Sequence, residues 1–177
     1  MKLELNELEE KDFERIYDLM KASFQEEETR SYENGIKQMQ NINYRILTVR
    51  NKDDDIIGFI ADWDLGSFIF LEHFAVDAKY RGLGIGSAML EAYLEQVNKT
   101  VVLEVEDYDT EIEKRRIGFY QRMGFHLSEF GYFQPILRGD TDKEIPLRIM
   151  SFPEKLTKKG FAEFKNEVFS KIYKVFN

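Results

Sequence analysis

The feature that most constrains this chain is a glycine-rich stretch, VDAKYRGLGIGSAMLEAYL, at residues 76–94. Three glycines stand at alternate positions between a β-rich run and a strong helical pattern. Glycines at such a junction let backbone N–H groups approach a ligand closely, and the following helix adds a positive dipole end with unpaired donors. A neighbouring arginine would add a charge-assisted contact. The sequence therefore predicts a pyrophosphate-binding loop that comprises Arg81, Gly82, Leu83, Gly84, Ile85, Gly86 and Ser87.

Three phosphate-binding patterns compete for this loop. A P-loop requires Gly-Lys-Ser/Thr, which the chain does not contain. The dinucleotide fingerprint GxGxxG would start at Gly84 but meets Met89 where its third glycine belongs, although Glu104 stands where the ribose-binding acid would. The third pattern, Arg-x-x-Gly-x-Gly, is matched by RGLGIG.

The order of predicted elements indicates a mixed α/β fold. After a strand-like start at residues 2–5, apolar residues at helical spacing predict a helix with one buried face. A second helix is predicted over residues 32–41, and then three β-rich runs suggest an antiparallel meander. The face of the first helix comprises Phe13, Ile16, Met20 and Phe24, and the strands are predicted at residues 44–50, 56–64 and 67–76.

The second half of the chain alternates helices and strands. Residues 84–97 predict a helix, 101–106 a strand, and 110–124 a helix that ends at Gly124. Two more strands are predicted around a polar turn at residues 138–143, followed by a C-terminal helix. Ile112, Ile117 and Tyr120 form the apolar stripe of the 110–124 helix, and Phe161, Phe164, Val168, Ile172 and Val175 that of the last helix.

Composition excludes several classes of protein and site. The chain has no cysteine, and its two histidines, His73 and His126, lack a metal-ligand spacing, so we expect no metal centre. The formal charge is −8, which disfavours nucleic-acid binding and favours cationic small molecules. No apolar run is long enough to span a bilayer and no secretory signal is recognisable, so we expect a cytoplasmic protein with no membrane partner.

The strand FLEHFAV, the loop RGLGIG and the downstream segment EVEDYDTEIEKRRIGFYQRMGF together resemble the GNAT superfamily of N-acetyltransferases. The resemblance extends from about residue 2 to 150. It implies a central twisted mixed sheet of six to seven strands flanked by helices. Residues 1–152 are then one acetyltransferase domain, and 153–177 a helical extension packed on the same domain or at a homodimer contact.

The resemblance also implies acetyl-coenzyme A as the acyl donor. Its pyrophosphate would bind the backbone from Arg81 to Ser87, and its pantetheine arm would pair with Phe74, Ala75 and Val76. Arg115 would approach the phosphates. Tyr120 stands where this family commonly keeps the tyrosine that protonates the departing thiolate, and a phenol with a pKa of about 10 is a suitable donor to a thiol.

Acetyl transfer to an amine also needs a proton acceptor, because an alkylamine with a pKa of about 10.4 is mostly protonated at neutral pH. Strand alternation places Glu72 on the face of Phe74 and Val76, so Glu72 is favoured as base or amine-binding carboxylate, with Glu104 second. His73 falls on the opposite face and is less favoured. A cross-strand or solvated glutamate is the structural alternative for both carboxylates.

The acceptor pocket is expected from the first two helices and the later strands. Glu27, Tyr32, Trp63 and Tyr132 are the predicted substrate-binding residues, since acidic side chains beside aromatic rings suit a small cationic amine such as a polyamine. The acidic run could equally be a mobile loop. A protein or peptide amine as acceptor, and a non-catalytic acyl-coenzyme A sensor, remain the alternative functions.

Overall fold

Helix α1 (Phe13–Ser23) forms where the apolar spacing predicts it, and helix α2 (Tyr32–Met39) lies within the predicted range 32–41. A computed structural model of the protein describes residues 1–107, 109–136 and 144–174. The predicted face of α1 is buried through Phe13, Ile16 and Met20, whereas Phe24 lies one residue beyond the helix and is half-buried.

The first strand does not lie at residues 2–5, and that prediction is wrong. Strand β1 is only Asn6–Glu7. It pairs antiparallel with the next strand through Asn6 with Thr48 and Glu7 with Leu47. Leu8, which is 5% exposed, follows β1 into the core, and its N–H donates to the carbonyl of Ile46 at 2.8 Å.

The meander is confirmed where β2 (Tyr44–Arg50) and β3 (Ile56–Asp64) pair antiparallel, followed by β4 (Phe68–Val76). The polar turn between β2 and β3 is closed by Asn51, whose side-chain oxygen accepts from the backbone N–H groups of Asp53 and Asp55, each at 2.9 Å. Helix α3 (Ile85–Gln96) follows and buries Ile85, Met89 and Tyr93.

In the second half, strands β5 (Thr100–Glu106), β6 (His126–Phe133) and β7 (Pro146–Phe152) surround helix α4 (Glu111–Arg122) in sequence. Strand β7 pairs antiparallel with both β5 and β6. The predicted place of Ile112 on the apolar stripe is wrong, because its side chain is 69% exposed. It lies in the first turn of α4, where a capping box between Thr110 and Glu113 sets the start of the helix.

Helix α5 (Lys158–Lys171) carries the C-terminal stripe. Phe164 and Val168 are fully buried, and Ile172 just after the helix is 4% exposed. The ring of Phe164 meets Phe68 and Phe70 at centroid distances of 5.9 and 5.8 Å. The stripe therefore completes an apolar core within the chain itself, although Val175 and the predicted turn at 138–143 lie outside the described residues.

The seven strands form a mixed sheet in the order β1-β2-β3-β4-β5-β7-β6, flanked by helices, which confirms the predicted α/β class. The chain comprises two compact units, one of residues 1–63 and 71–98 and the other of residues 64–70 and 99–177, called here unit 1 and unit 2. In the part of the chain that the structure describes, none of the helices has both the length and the apolar character that crossing a bilayer requires.

Candidate active site

The glycine-rich loop of unit 1 ends at the first residue of α3. Gly82 and Gly84 both have left-handed backbones, with φ of 76° and 77°. A Cβ added at either position would meet no described atom within 4 Å, so it is the backbone conformation that requires glycine here. Space is thus left open beside the loop, as close approach of a ligand to this backbone needs.

The start of α3 leaves backbone donors available. Gly84 is the N-cap residue and has no side chain to accept from the first turn, so the N–H groups of Ile85, Gly86 and Ser87 have no acceptor within the helix. The Nε of Arg81 donates to the carbonyl of Val76 at 3.0 Å, which anchors this side chain at the end of β4. The loop therefore combines aligned N–H groups, a helix dipole and a guanidinium, the set that a pyrophosphate requires.

Strand β4 leads directly into this loop and alternates as predicted. Phe74 and Val76 on one face are half-buried, whereas His73 and Ala75 on the other face are buried. Phe74 to Val76, the predicted partners of the pantetheine arm, therefore follow directly after Glu72 and His73 on the same strand.

Glu72 is bound on both carboxylate oxygens. Nη1 of Arg30 donates to Oε1 at 2.5 Å, and the indole Nε1 of Trp63 donates to Oε2 at 2.6 Å. The side chains of Glu72 and Arg30 are only 4% and 10% exposed. Burial by itself would raise the pKa of Glu72, but the positive charge of Arg30, reinforced by His73 and by the two hydrogen bonds, holds that pKa below its ordinary value.

Two aromatic side chains, Tyr44 and Trp63, lie beside this ion pair. The ring of Tyr44 lies 4.8 Å from that of Trp63, and the guanidinium of Arg30 lies over the Trp63 ring at 5.9 Å. Burial, followed by the negative charge of Glu72, raises the pKa of Tyr44, so its hydroxyl stays protonated. Neither Arg30 nor Tyr44 was among the predicted site residues, since nothing in their local sequence distinguishes them.

Unit 1 also contains a cleft that opens between α1, α2 and the strands. Tyr32, a predicted substrate-binding residue, packs at the helix pair, with ring centroids 5.4 Å from Phe13 and 5.2 Å from Tyr17. Glu27 lies in a short turn of helix at Glu26–Glu28. The cleft is lined by Phe13, Tyr17, Met20, Arg30, Gly35, Gln38, Tyr44 and His73.

His73 is 5% exposed and uses one ring nitrogen for structure. Its Nε2 lies 2.9 Å from the backbone carbonyl oxygen of Glu28, and its ring meets Phe24 edge-on at 4.8 Å. Among the described residues, Nδ1 has no hydrogen-bond partner and is buried. Strand alternation correctly separates His73 from Glu72, but sequence gives no indication that one ring nitrogen lacks a partner.

In unit 2, Tyr120 lies on the buried side of α4. It is 8% exposed, and its ring meets Phe119 and Phe125 at 5.3 and 5.5 Å. Burial raises the pKa of Tyr120 to about 12, with a smaller opposing effect from Arg116. The phenol is therefore protonated throughout the neutral range. Arg115, one helical turn earlier, is exposed.

Glu104, the second predicted carboxylate, accepts hydrogen bonds from the C-terminal segment. The hydroxyl of Tyr173 lies 2.6 Å from Oε1 and 3.0 Å from Oε2 of Glu104. Tyr132, 9% exposed, packs on the rings of Phe161 and Phe169, and burial together with the charge of Glu104 raises its pKa well above 10.0. Within unit 2 the structure thus groups Glu104 with Tyr132 and the end of α5.

The predicted site residues fall into two sets. Glu72 and Trp63 are in direct contact, and the loop Arg81–Ser87 follows the same strand as Glu72 in unit 1. Glu104 and Tyr132 lie together in unit 2, which also holds Tyr120 and Arg115. Among the described residues no group of three or more His, Asp or Glu side chains could hold a metal ion.

Comparison with known proteins gives the family. A sequence profile described as the acetyltransferase (GNAT) domain matches residues 43–127. A solved GNAT-family protein from Bacteroides thetaiotaomicron is 31% identical, covers 98% of this chain and all of its own, and superposes with a TM-score of 0.89. The chain belongs to the GNAT acetyltransferase family. No curated protein sequence matches it significantly.

Two other solved GNAT-like structures share the fold of this chain at lower identity. The ribosomal-protein-S18-alanine N-acetyltransferase of Escherichia coli is 20% identical over 88% of this chain and 96% of its own, with a TM-score of 0.64. The spermidine/spermine N-acetyltransferase SpeG of Vibrio cholerae is 16% identical over 85% and 94%, with a TM-score of 0.63. The named acceptors of these two proteins differ in class, so the fold that they share with this GNAT chain does not select an acceptor.

Proposed function

We propose that this GNAT chain is an acetyl-coenzyme A-dependent N-acetyltransferase that acetylates a primary amine of a small cationic molecule by direct attack on the thioester. One observation carries the proposal: the two left-handed glycines in front of α3, with open space beside them and uncapped N–H groups behind. Family membership supports the acyl donor, and the loop fits the pyrophosphate of that donor.

The residues of the chain have separate roles in this proposal. The backbone from Arg81 to Ser87 holds the pyrophosphate, with Arg115 approaching the phosphates, and Phe74 to Val76 align the pantetheine arm. Acetyl-coenzyme A supplies the thioester whose carbonyl carbon receives the amine. Holding both reactants in one pose is the main source of acceleration for such a transfer.

Tyr120 is proposed to donate its hydroxyl proton to the sulfur that leaves. Its raised pKa supports this role, because a phenol that stays protonated at neutral pH always has a proton to give. Contact with the rings of Phe119 and Phe125 also restricts the movement of the Tyr120 ring.

The cationic nature of the acceptor is supported by charge and by aromatic lining. The whole chain carries a net charge of −8. The acidic charge lies in residues 1–150, because residues 151–177 contain six lysines and only three glutamates. Acidic surfaces attract cationic ligands. Rings of Phe13, Tyr17 and Tyr44 line the unit 1 cleft, and aromatic faces attract ammonium groups. We include Glu27, Tyr32 and Trp63 of unit 1 in the acceptor region of this proposal, and Tyr132 of unit 2 stays a prediction from the sequence.

The test measures release of free coenzyme A from acetyl-coenzyme A with spermidine, ethylamine, free lysine and a peptide with a free N-terminus. We expect release that depends on a small amine and falls by about 10²-fold or more in Tyr120→Phe, with unchanged affinity for coenzyme A. Release with the peptide alone would support the protein N-acetyltransferase alternative. Tight binding of coenzyme A with no release on any amine would support the sensor alternative and overturn the proposed activity.

A further inference from the structure

We propose that His73 takes the proton that the acceptor amine must lose before it attacks, and that the acceptor amine binds in the unit 1 cleft against Nδ1 of this ring. The inference rests on the proposed N-acetyltransferase activity and assigns its proton acceptor. His73 thereby takes the role of proton acceptor, for which the position on the strand favours Glu72.

The hydrogen bond to Glu28 determines which nitrogen of His73 can act. A backbone carbonyl oxygen only accepts, so Nε2, at 2.9 Å from it, must carry the ring proton. In the neutral ring Nδ1 then holds a lone pair. This atom is buried, has no partner among the described residues, and belongs to a side chain that lines the cleft. An unpaired buried acceptor is costly, and an N–H group of a ligand would satisfy it.

The surroundings of the ring support a positive charge after proton transfer. The Nε2–H bond to the Glu28 carbonyl strengthens when the ring becomes imidazolium. The carboxylate of Glu72, next along β4, attracts that charge, as its own pKa reflects. A fixed hydrogen-bond acceptor on Nε2 orients the ring so that Nδ1 can act as a general base.

Glu72 itself is a poor proton acceptor in this arrangement. Both of its oxygens already accept short hydrogen bonds, from Arg30 and from Trp63. Its pKa is held below the ordinary value, which makes its protonated form still less accessible at neutral pH. Glu72 therefore acts as a positioning residue, which fixes Arg30 and Trp63.

The cleft is small, with room for about one ammonium-sized group, and its lining suits such a group. Its lining combines aromatic rings with Met20, while the guanidinium of Arg30, also in the lining, is paired with Glu72. An ammonium group can therefore approach Nδ1 without meeting a net positive charge. One N–H bond of the ammonium breaks, its proton bonds to Nδ1, and the electron pair stays on the amine nitrogen as the nucleophile. The imidazolium afterwards returns that proton to water.

The kinetic test uses the amine that the wild type turns over fastest. His73→Gln is the chosen variant because its amide N–H can replace the bond to the Glu28 carbonyl, while no proton acceptor remains at the place of Nδ1. We expect kcat to fall by about 10²- to 10⁴-fold, with the affinity for coenzyme A and the unfolding midpoint nearly unchanged. His126→Gln, on the exposed side of β6, is the matched control and should retain wild-type kcat.

Two further measurements separate chemistry from packing. In His73→Ala, added imidazole should restore kcat in proportion to its concentration, which a purely structural role would not allow. Trifluoroethylamine, which is mostly unprotonated at neutral pH, should be far less sensitive than ethylamine to His73→Gln, because no proton has to be removed first. Equal losses for both amines, or no rescue by imidazole, would overturn the assignment.

A spectroscopic readout does not depend on turnover. The chain has only two histidines, so ¹⁵N-labelled ring nitrogens give four signals, assigned with the His73→Gln and His126→Gln variants. We expect the neutral His73 ring to be protonated on Nε2, and its Nδ1 signal to shift when spermidine is added, while His126 does not respond. Protonation on Nδ1 would contradict the geometry. A wild type that binds spermidine at His73 but releases no coenzyme A would instead disprove the proposed activity alone.

Discussion

Tyr173, two residues beyond the end of α5, donates its hydroxyl to both carboxylate oxygens of Glu104 on β5, at 2.6 and 3.0 Å. The C-terminal segment therefore contributes a hydrogen-bond donor to a strand carboxylate, in addition to the apolar stripe with which it covers Phe68 and Phe70. The extension and the sheet of unit 2 are thus joined by both apolar and polar contacts.

The first prediction concerns this bond. Tyr173→Phe should lower the free energy of unfolding by about 1 to 2 kcal/mol, because hydrogen bonds to charged groups contribute roughly that much when partly buried. Urea unfolding of Tyr173→Phe, Glu104→Gln and the double variant measures the coupling of the two side chains. Strictly additive losses would mean that the two groups do not interact in solution.

The second prediction concerns the buried ion pair of unit 1. Glu72→Gln should cost about 3 to 5 kcal/mol near neutral pH, because it leaves the guanidinium of Arg30 buried without a counter-charge. The pKa of Glu72 is lower in the folded state than its ordinary value of 4.5. The contribution of the pair is therefore complete above about pH 4.5 and is lost as the pH falls through the folded pKa.

Urea unfolding of the wild type and Glu72→Gln at neutral and acidic pH checks this. The difference between the two proteins should shrink as the pH falls below 4.5. Glu9→Gln is the matched control, because the Glu9–Lys11 pair is 72% exposed on both side chains and should contribute at most about 1 kcal/mol at any pH. A pH-independent difference for Glu72 would contradict the assigned ion pair.

The third prediction separates backbone strain from ligand binding at the glycine loop. Gly84→Glu and Gly66→Glu both place a side chain on a left-handed backbone, at φ of 77° and 90°, and neither Cβ meets a described atom within 4 Å. Both should lose about 1 to 2 kcal/mol of stability. Calorimetry should show that only Gly84→Glu abolishes coenzyme A binding. Unchanged affinity in that variant would remove the loop from the cofactor site.

The fourth prediction tests whether α5 covers its own chain. Phe164→Asp should unfold the protein, since it removes a fully buried ring and places a charge in the core. Ile112→Asp, at a site 69% exposed, should remain folded. Circular dichroism and mass in solution measure both variants. A folded, monomeric Phe164→Asp would instead indicate that α5 packs on a second copy of the chain. The homodimer itself remains a prediction.

The elements of the fold could be predicted because hydrophobic periodicity records burial directly. Strands β2 and β3 and helix α3 carry apolar residues at spacings of two or of three and four, and the glycine loop marks the junction before α3. Where periodicity was weak, prediction failed. The strand placed at residues 2–5 lies at Asn6–Glu7, and Ile112 is exposed because a capping box, rather than apolar spacing, sets the start of α4.

The sequence by itself determined the family, the α/β class and the place of the glycine-rich loop before α3, because each depends on residues close together in the chain. Only the tertiary structure decided that Arg30 and Trp63 bind Glu72, that Tyr173 binds Glu104, and that one nitrogen of His73 has no partner. These contacts join residues 9 to 69 positions apart. Hydrogen bonds and burial at such separations depend on how elements pack, and no local pattern of side chains records them.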